Sequence, residues 1–469
     1  MPEAILQNFI GEAKGQFEQL EQELRQTLDF AVFEQALTEM FNDLSARLIE
    51  GVLNELLTDR SLLAGLKRWG GKLAMRFKEY RSVSLRLASG QTISVSAPYF
   101  TKARPKKRRQ KRGPNGSGAY LGLDALGFIG RSSAQFVSEV VKLAVLSPSF
   151  EVAKEMLAGR GISIDVKTVR RLCRQLGAVG LECRGQISLG GTENLAGYTL
   201  VVGIDGGRLR ERRRKRGRKK KGQKRQGYHT DWKEPKLFTL YLLDAQGQVV
   251  KAFAPLHDAT MGNYEAMFAL LAQYLTALDL SEVRRIIFCG DGAPWIWSGV
   301  EKLCVKMGLE RGCPIYQVLD YTHAKQNLQE IIDLLPLTGR KPAKLARKWK
   351  LMLWQGDIQG LHKQICQQLC GKKREQALKK WHDYFERNEQ RMQYETFRAL
   401  HLPCGSGCVE SAIRRVINLR LKAAGTFWTQ EMAEYFLFLR SQVLSGRWHI
   451  FLSNVTHQKA HLVHNLGVS

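Results

Sequence analysis

The sequence predicts an α/β core flanked by helical regions. Apolar runs of strand length end at two aspartates. Thr199-Leu200-Val201-Val202-Gly203-Ile204 leads to Asp205, and Ile286-Ile287-Phe288-Cys289-Gly290 leads to Asp291. Around them, strand patterns near 198–204, 236–243, 248–253, 285–290 and 315–319 alternate with helical patterns near 263–278, 294–307 and 321–334. Three strands come before the first helix, which implies an α/β sheet opening with an antiparallel meander. Residues 337–400 then lose the strand pattern and are rich in Lys, Gln and Trp (Trp349, Trp354, Trp381), as expected of an inserted all-helical subdomain.

Ahead of this core, residues 5–66 carry helical periodicity, as in Leu20, Leu24, Leu28 and then Leu37, Met40, Phe41, Leu44, Leu48. Such helices form a small bundle or mediate self-association. Val83, Leu85 and Leu87 alternate before a Ser89-Gly90 turn, with Ile93 and Val95 after it, a hairpin signal. Lys102 to Arg112 holds eight basic residues in eleven and is followed by Gly113-Pro114-Asn115-Gly116-Ser117-Gly118, which suits a linker. Phe150–Ala158, a Gly159-Arg160-Gly161 break and a helix capped by Asp165 and ending at Gly177 read as a helix-turn-helix. On the second helix Val169, Leu172, Cys173 and Leu176 form one stripe, and Lys167, Arg170, Arg171 and Arg174 form the opposite one, as a helix in a major groove requires. A plain surface helix with one basic face fits the same pattern. The expected organisation is a helical N-terminal region at 1–80, a β-hairpin at 81–100, a basic flexible linker at 101–130 and a helix-turn-helix DNA-binding domain at 131–196. The core follows at 197–336, with the helical insertion at 337–403, the second part of the core at 404–448 and a C-terminal tail at 449–469.

The 469 residues carry a net charge of +28, and the sign is uneven. Residues 1–60 hold 12 acidic and 4 basic side chains, so a net −8 at the N-terminus leaves +36 on the rest. A basic body of this size points to a polyanion, nucleic acid foremost. An anionic membrane is the rival, but no uninterrupted apolar stretch reaches the length of a bilayer span and no signal peptide opens the chain, so a cytoplasmic protein without a membrane is expected. Nine scattered cysteines suit a reducing compartment. The spacings Cys366/Cys370 and Cys404/Cys408 suit small buried residues on helices better than a zinc site.

Chemistry concentrates in three acids. Asp205 and Asp291 end strand-like runs and precede glycines, and Glu410 stands in Cys404-Gly405-Ser406-Gly407-Cys408-Val409-Glu410-Ser411 at the start of a helical pattern. Two carboxylates at strand ends and one on a later helix can meet around a pair of hard divalent cations, Mg²⁺ or Mn²⁺, the arrangement that drives in-line attack on a phosphodiester. The run Arg208–Arg225, thirteen basic residues in eighteen, begins three residues after Asp205 and is suited to clamp phosphates; it includes Arg212, Arg213 and Arg214. A solvated loop is the plainer reading. Arg414, Arg415 and Arg420 follow Glu410 on its helix and can reach phosphates, though Arg414 can equally pair with Glu410. Trp295 and Trp297 open a helix after Asp291, with core packing the plainer role and stacking on a flipped base the other.

Several blocks resemble DDE transposases of bacterial insertion sequences, particularly the ISKra type. They are Gly290-Asp291-Gly292-Ala293-Pro294-Trp295-Ile296-Trp297, Leu319-Asp320-Tyr321-Thr322-His323, Arg391-Met392-Gln393-Tyr394 with Phe397-Arg398, Gly405 to Ser411, and Arg420-Leu421-Lys422 with Gly425, Trp428, Leu439-Arg440 and Ser445-Gly446-Arg447-Trp448. The resemblance covers roughly residues 197–448. It implies an RNase-H-like catalytic core interrupted by a helical insertion, with Asp205, Asp291 and Glu410 as catalytic and metal-binding acids. Asp320 and His323 match a D-x-x-H element near the active site of related transposases, and Asp320 competes with Asp291 for the role of second ligand. The function expected is a two-metal DNA transposase that cuts and joins transposon ends, acting as an oligomer on DNA. A metal-dependent nuclease without strand transfer and an inactive DNA-binding regulator are the alternatives.

Overall fold

The structure, a computed structural model, describes residues 2–102, 118–186, 189, 195–217, 222, 226–335 and 340–464. It divides into two compact units, Met1–Cys183 with His449–Ser469, and Arg184–Trp448.

The first unit opens with two long helices, α1 (Pro2–Thr27) and α2 (Phe30–Thr58), and a shorter α3 (Arg60–Lys72). Asp29 begins α2 by accepting from the amides of Ala31 and Val32 at 3.1 Å, and Asp59 begins α3 by accepting from Leu62 at 2.8 Å. These caps satisfy amides that have no partner inside the helix. The hairpin is longer than its alternation suggested: β1 (Met75–Arg86) pairs antiparallel with β2 (Thr92–Lys102), and β2 with β3 (Gly118–Ala119). Val83, Leu85, Ile93 and Val95 share one buried face with Ala46 and Leu57 of α2. Lys102 ends β2, and residues 103–117, the densest part of the expected linker, lie outside the described residues. The end of that linker span folds into β3 and α4 (Leu121–Ala125), whose Leu121 and Leu123 are buried.

Three helices follow, α5 (Ala134–Leu146), α6 (Phe150–Ala158) and α7 (Val166–Glu182), each opened by a side-chain cap at Ser133, Ser149 or Asp165. α7 runs past Gly177, because Val179 and Gly180 continue its packing face. Val169, Leu172, Cys173 and Leu176 are buried, while Lys167, Arg170, Arg171 and Arg174 are exposed, as the two stripes required.

The second unit is built on a mixed five-stranded sheet. Its strands are β4 (Thr199–Gly206), β7 (Lys236–Leu243), β8 (Leu256–Thr260), β9 (Arg285–Gly290) and β10 (Ile315–Leu319), with the hairpin β5 (Leu209–Arg214) and β6 (Tyr228–Lys233) inserted after β4. The spatial order is β10-β9-β4-β7-β8. β4, β7 and β8 are antiparallel in turn, whereas β9 and β10 run parallel to β4. The third strand is not where alternation put it. Residues 248–253 touch β7 through a single bridge from Leu243 to Val249, and the ladder is completed by β8. Helices α8 (Tyr264–Ala277), α9 (Pro294–Met307) and α10 (Tyr321–Ile332) connect and cover the strands.

The insertion holds α11 (Arg340–Gln355), α12 (Ile358–Gln368), α13 (Gly371–Lys380), a π-helical turn at Trp381–Phe385 and α14 (Tyr394–Ala399). It shares one continuous core with the sheet, and Tyr321 of α10 meets Trp354 at 5.0 Å and Tyr394 at 4.9 Å between ring centres. Then come α15 (Gly407–Ala412), a π-helical stretch at Ile413–Asn418, α16 (Leu419–Leu421) and α17 (Gln430–Leu444). The last helix, α18 (Trp448–His464), occupies most of the segment expected as a tail, and from His449 onward it belongs to the first unit.

Candidate functional site

Strand register brings the two aspartates together. β4 and β9 are parallel neighbours with Ile204 opposite Gly290, so Asp205 and Asp291 leave adjacent strand ends in the same direction. Gly203 lets the third acid approach. A Cβ at Gly203 would stand 3.0 Å from the Cβ of Val409, so only a glycine lets α15 settle this closely on β4. Glu410, next to Val409, is exposed in the first turn of α15, where the helix dipole favours a carboxylate. The helix passes into its π-helical stretch within one turn of Glu410, an irregularity that often accompanies functional sites.

The charges feel one another. Burial, first, pushes the Asp205 carboxyl up to about 7 from its ordinary 3.8, and the carboxylates of Asp291 and Glu410 push the same way. The amide of Gly206, 2.6 Å from Asp205 Oδ1, and His323 pull it back only in part. Two carboxylates that raise a third in this way mark a concentration of negative charge that a cation relieves.

His323 Nε2 lies 4.0 Å from Glu410 Oε1, and Ser406 Oγ donates to the same oxygen at 3.4 Å. Ligand atoms of Asp320, His323 and Glu410 all lie within 4.8 Å of one another, so this buried-to-exposed group could hold a metal ion. Within the group Asp320 is already committed. It is 1% exposed, its Oδ1 caps α10 by accepting from the His323 amide at 2.8 Å, and its Oδ2 accepts from the Ser406 amide. Asp320 thus ties the start of α10 to the loop that precedes Glu410. Asp291 is partly exposed, and its Oδ1 accepts from the Ala293 amide at 2.9 Å. Asp320 thus carries an amide on each carboxylate oxygen, and Asp291 carries one on Oδ1.

The frame around Asp291 comes from residues that sequence reading assigned elsewhere or passed over. Trp297 is buried, and its indole donates to the Asp291 carbonyl at 2.8 Å, so it is a core residue that also holds the aspartate's backbone. Trp295 is half-buried, with Lys236 4.7 Å from its ring centre. Tyr384, from the π-helical turn of the insertion, lies against Gly292, where a Cβ would overlap its ring. Burial raises the Tyr384 phenol, with Asp291 and Asp320 adding to the effect, so it stays protonated. Gly292 thus makes room for a ring. Gly292→Ala is expected to displace the Tyr384 ring and lower stability by about 1–3 kcal/mol, as thermal unfolding followed by circular dichroism would register.

Of the cations assigned to DNA, two turn inward. Arg420 is 2% exposed and stacks between Trp428 (5.0 Å) and Phe436 (5.2 Å), which makes it part of the core. Arg415 is half-buried and donates to His257 Nε2 at 3.3 Å; burial, then Arg415 itself, holds that imidazole down to about 4, neutral and able to accept. Both face inward because the helix after Glu410 is packed on two sides, which its basic sequence conceals. Arg414 is exposed. Arg212, Arg213 and Arg214 are exposed on β5, with Arg213 paired to Asp231. The start of the basic run is therefore an ordered hairpin, and residues 218–221 and 223–225 lie outside the described residues.

No protein-family model, no curated protein and no solved structure matches this chain. Among the described residues no helix is long and apolar enough to cross a membrane.

Proposed function

We propose that the chain is a DNA transposase of the DDE type, with an RNase-H-like core whose acids Asp205, Asp291 and Glu410 hold two divalent cations, Mg²⁺ or Mn²⁺. The observation that carries the reading is that Asp205, buried at the end of β4 and raised to about 7 first by that burial, also feels the carboxylates of Asp291 at the end of the neighbouring β9 and of Glu410 on α15. The mixed sheet, an antiparallel β4-β7-β8 meander with β9 and then β10 parallel on the other side of β4, is compatible with an α/β core of this kind. The donor set fits the ions, since hard cations prefer carboxylate oxygens and leave room for phosphate and water. When bound, the ions supply charge neutralisation at the attacked phosphate and at the attacking and leaving oxygens.

The chain's own residues place that chemistry. Asp205, which feels both of the other acids, would help hold the ions. Glu410 is presented by α15, with Ser406 and His323 orienting its oxygen. Asp320 holds α10 and the Ser406 loop in register. The basic stripe of α7 would read the element's ends, and Arg212, Arg214 and Arg414 would add salt-sensitive phosphate contacts. Pairing two ends calls for at least two protomers.

The test uses labelled duplexes carrying the DNA that flanks the gene, with Mg²⁺. Cleavage at the element end followed by joining to a second duplex is expected. Asp291→Asn should lower both by about 1,000-fold, the several kcal/mol that a metal ligand set supplies, and weaken Mn²⁺ binding in calorimetry. Asp320→Asn should leave metal affinity nearly unchanged and lower stability by about 1 kcal/mol through the damaged cap. The opposite pattern would transfer the metal to the Asp320–His323–Glu410 group. Cleavage without joining would make the protein a nuclease, and no metal-dependent cleavage would remove the catalytic reading.

A further inference from the structure

The hairpin that leaves β4 immediately after Asp205 is too elaborate for a connection. The chain could have turned directly from β4 into β7, since Gly206 pairs with Lys236 and the Gly207 amide donates to the Pro235 carbonyl at 2.8 Å. Instead β5 and β6 are inserted there, and Arg210 pairs with Trp232, Arg212 with Thr230 and Arg214 with Tyr228. Side chains alternate across a strand, so these six share one face. The other face carries buried Leu209 and Glu211 and turns toward the protein. The segment at Trp428 pairs with β5, its amide donating to Arg210 at 3.0 Å and its carbonyl accepting from Arg212 at 2.7 Å. Its neighbour Phe427 meets Arg210 at 5.0 Å and Tyr228 at 5.8 Å. Arg208 and Arg210 stand 5.3 and 5.5 Å from the Trp232 ring centre. Yet Trp232 remains 51% exposed and Tyr228 47% exposed.

We propose that this face is a stacking platform for an unpaired DNA strand beside the catalytic acids. Large rings held half in water on a rigid strand, among guanidinium groups, match what single strands require: flat surfaces for bases and cations for phosphates. In a duplex the base faces cover one another, so rings of this kind gain little there. A strand end freed by cleavage next to Asp205 offers both. The occupant rests on the catalytic reading above; the hairpin geometry does not.

Binding is measured by fluorescence anisotropy without divalent metal, in the Asp205→Asn background, so that no cleavage enters. The probes are a short labelled single-stranded oligonucleotide and its matched duplex. Trp232→Ala is expected to weaken single-strand binding about tenfold and duplex binding less than about twofold, with Trp232→Phe restoring most of the loss. Tyr228→Ala should act in the same direction, which keeps the test open if Trp232→Ala fails to fold. Equal losses on both probes, or none, would overturn the platform. So would a changed sedimentation mass of the DNA-free variants, which would make the face a protein-docking surface. None of these results depends on whether the wild type cuts DNA, so the platform and the catalytic reading fail separately.

Discussion

Asp205→Asn is expected to abolish the proposed metal-dependent cleavage and at the same time to stabilise the metal-free protein at pH 8. The carboxyl of Asp205 titrates near 7 in the folded chain and near its ordinary 3.8 when unfolded, with burial the first cause and Asp291 and Glu410 adding to it. Between these values the folded protein keeps a proton that the unfolded chain releases. The stability tied to this proton is therefore full below pH 3.8, declines as pH rises, and is lost as pH passes through 7. Asparagine cannot ionise, and its oxygen can still accept from Gly206. The variant should match the wild type at pH 3 and exceed it at pH 8 by about 1–3 kcal/mol, the full shift being reduced by water reaching a half-buried group. Mg²⁺ should raise the melting temperature of the wild type at pH 8 and leave that of the variant nearly unmoved. Thermal scans at two pH values, with and without the ion, check all of this. A variant less stable than the wild type at pH 8 would mean that Asp205 is held by structure and carries no charge strain.

The legible parts of this molecule were those whose signals are local. Asp205 and Asp291 were found because apolar runs ending in Asp-Gly announce strand ends. α6, the Gly159–Gly161 break and the Asp165 cap were found because caps and breakers act within a turn. What escaped depends on partners distant in sequence. β8 carries His257 and Asp258 inside the core, a pattern alternation rejects, because their partners are distant: Ser445 just after α17 and Arg415 for His257, Tyr274 of α8 and Arg184 for Asp258. Arg420 reads as a surface cation until Trp428 and Phe436 close around it. Tyr384 carries no motif, and only folding of the insertion brings it to Gly292. The hairpin β5–β6 was hidden by its charge, since a run of arginines suggests repulsion until Trp232 and Phe427 are seen between the guanidinium groups.

Asp258→Ala should destabilise the second unit strongly. Asp258 is fully buried in β8 and accepts from Arg184 Nε at 3.0 Å, from Arg184 Nη2, from the Tyr274 hydroxyl at 2.9 Å and from the Ala259 amide at 2.9 Å. Arg184 in turn donates to Glu434 Oε1 at 3.0 Å and to the Ala259 carbonyl at 2.7 Å, and Glu434 Oε2 receives the Met261 amide at 2.6 Å. One guanidinium thus joins the start of the unit, the edge strand and α17. Removing Asp258 leaves that cation buried beside a single carboxylate and strips the partner from Tyr274. The cost is about 3–5 kcal/mol, that of an uncompensated buried charge, and denaturant titration should show it as a lower midpoint. Replacing the pair together, Arg184→Met with Asp258→Leu, removes the stranded cation and should recover part of the loss, since Glu434 loses its guanidinium partner but keeps the Met261 amide. If the single variant instead costs less than about 1 kcal/mol, or the double variant costs as much as the single, the network is not what fastens β8 to α17, and apolar packing alone must account for the junction.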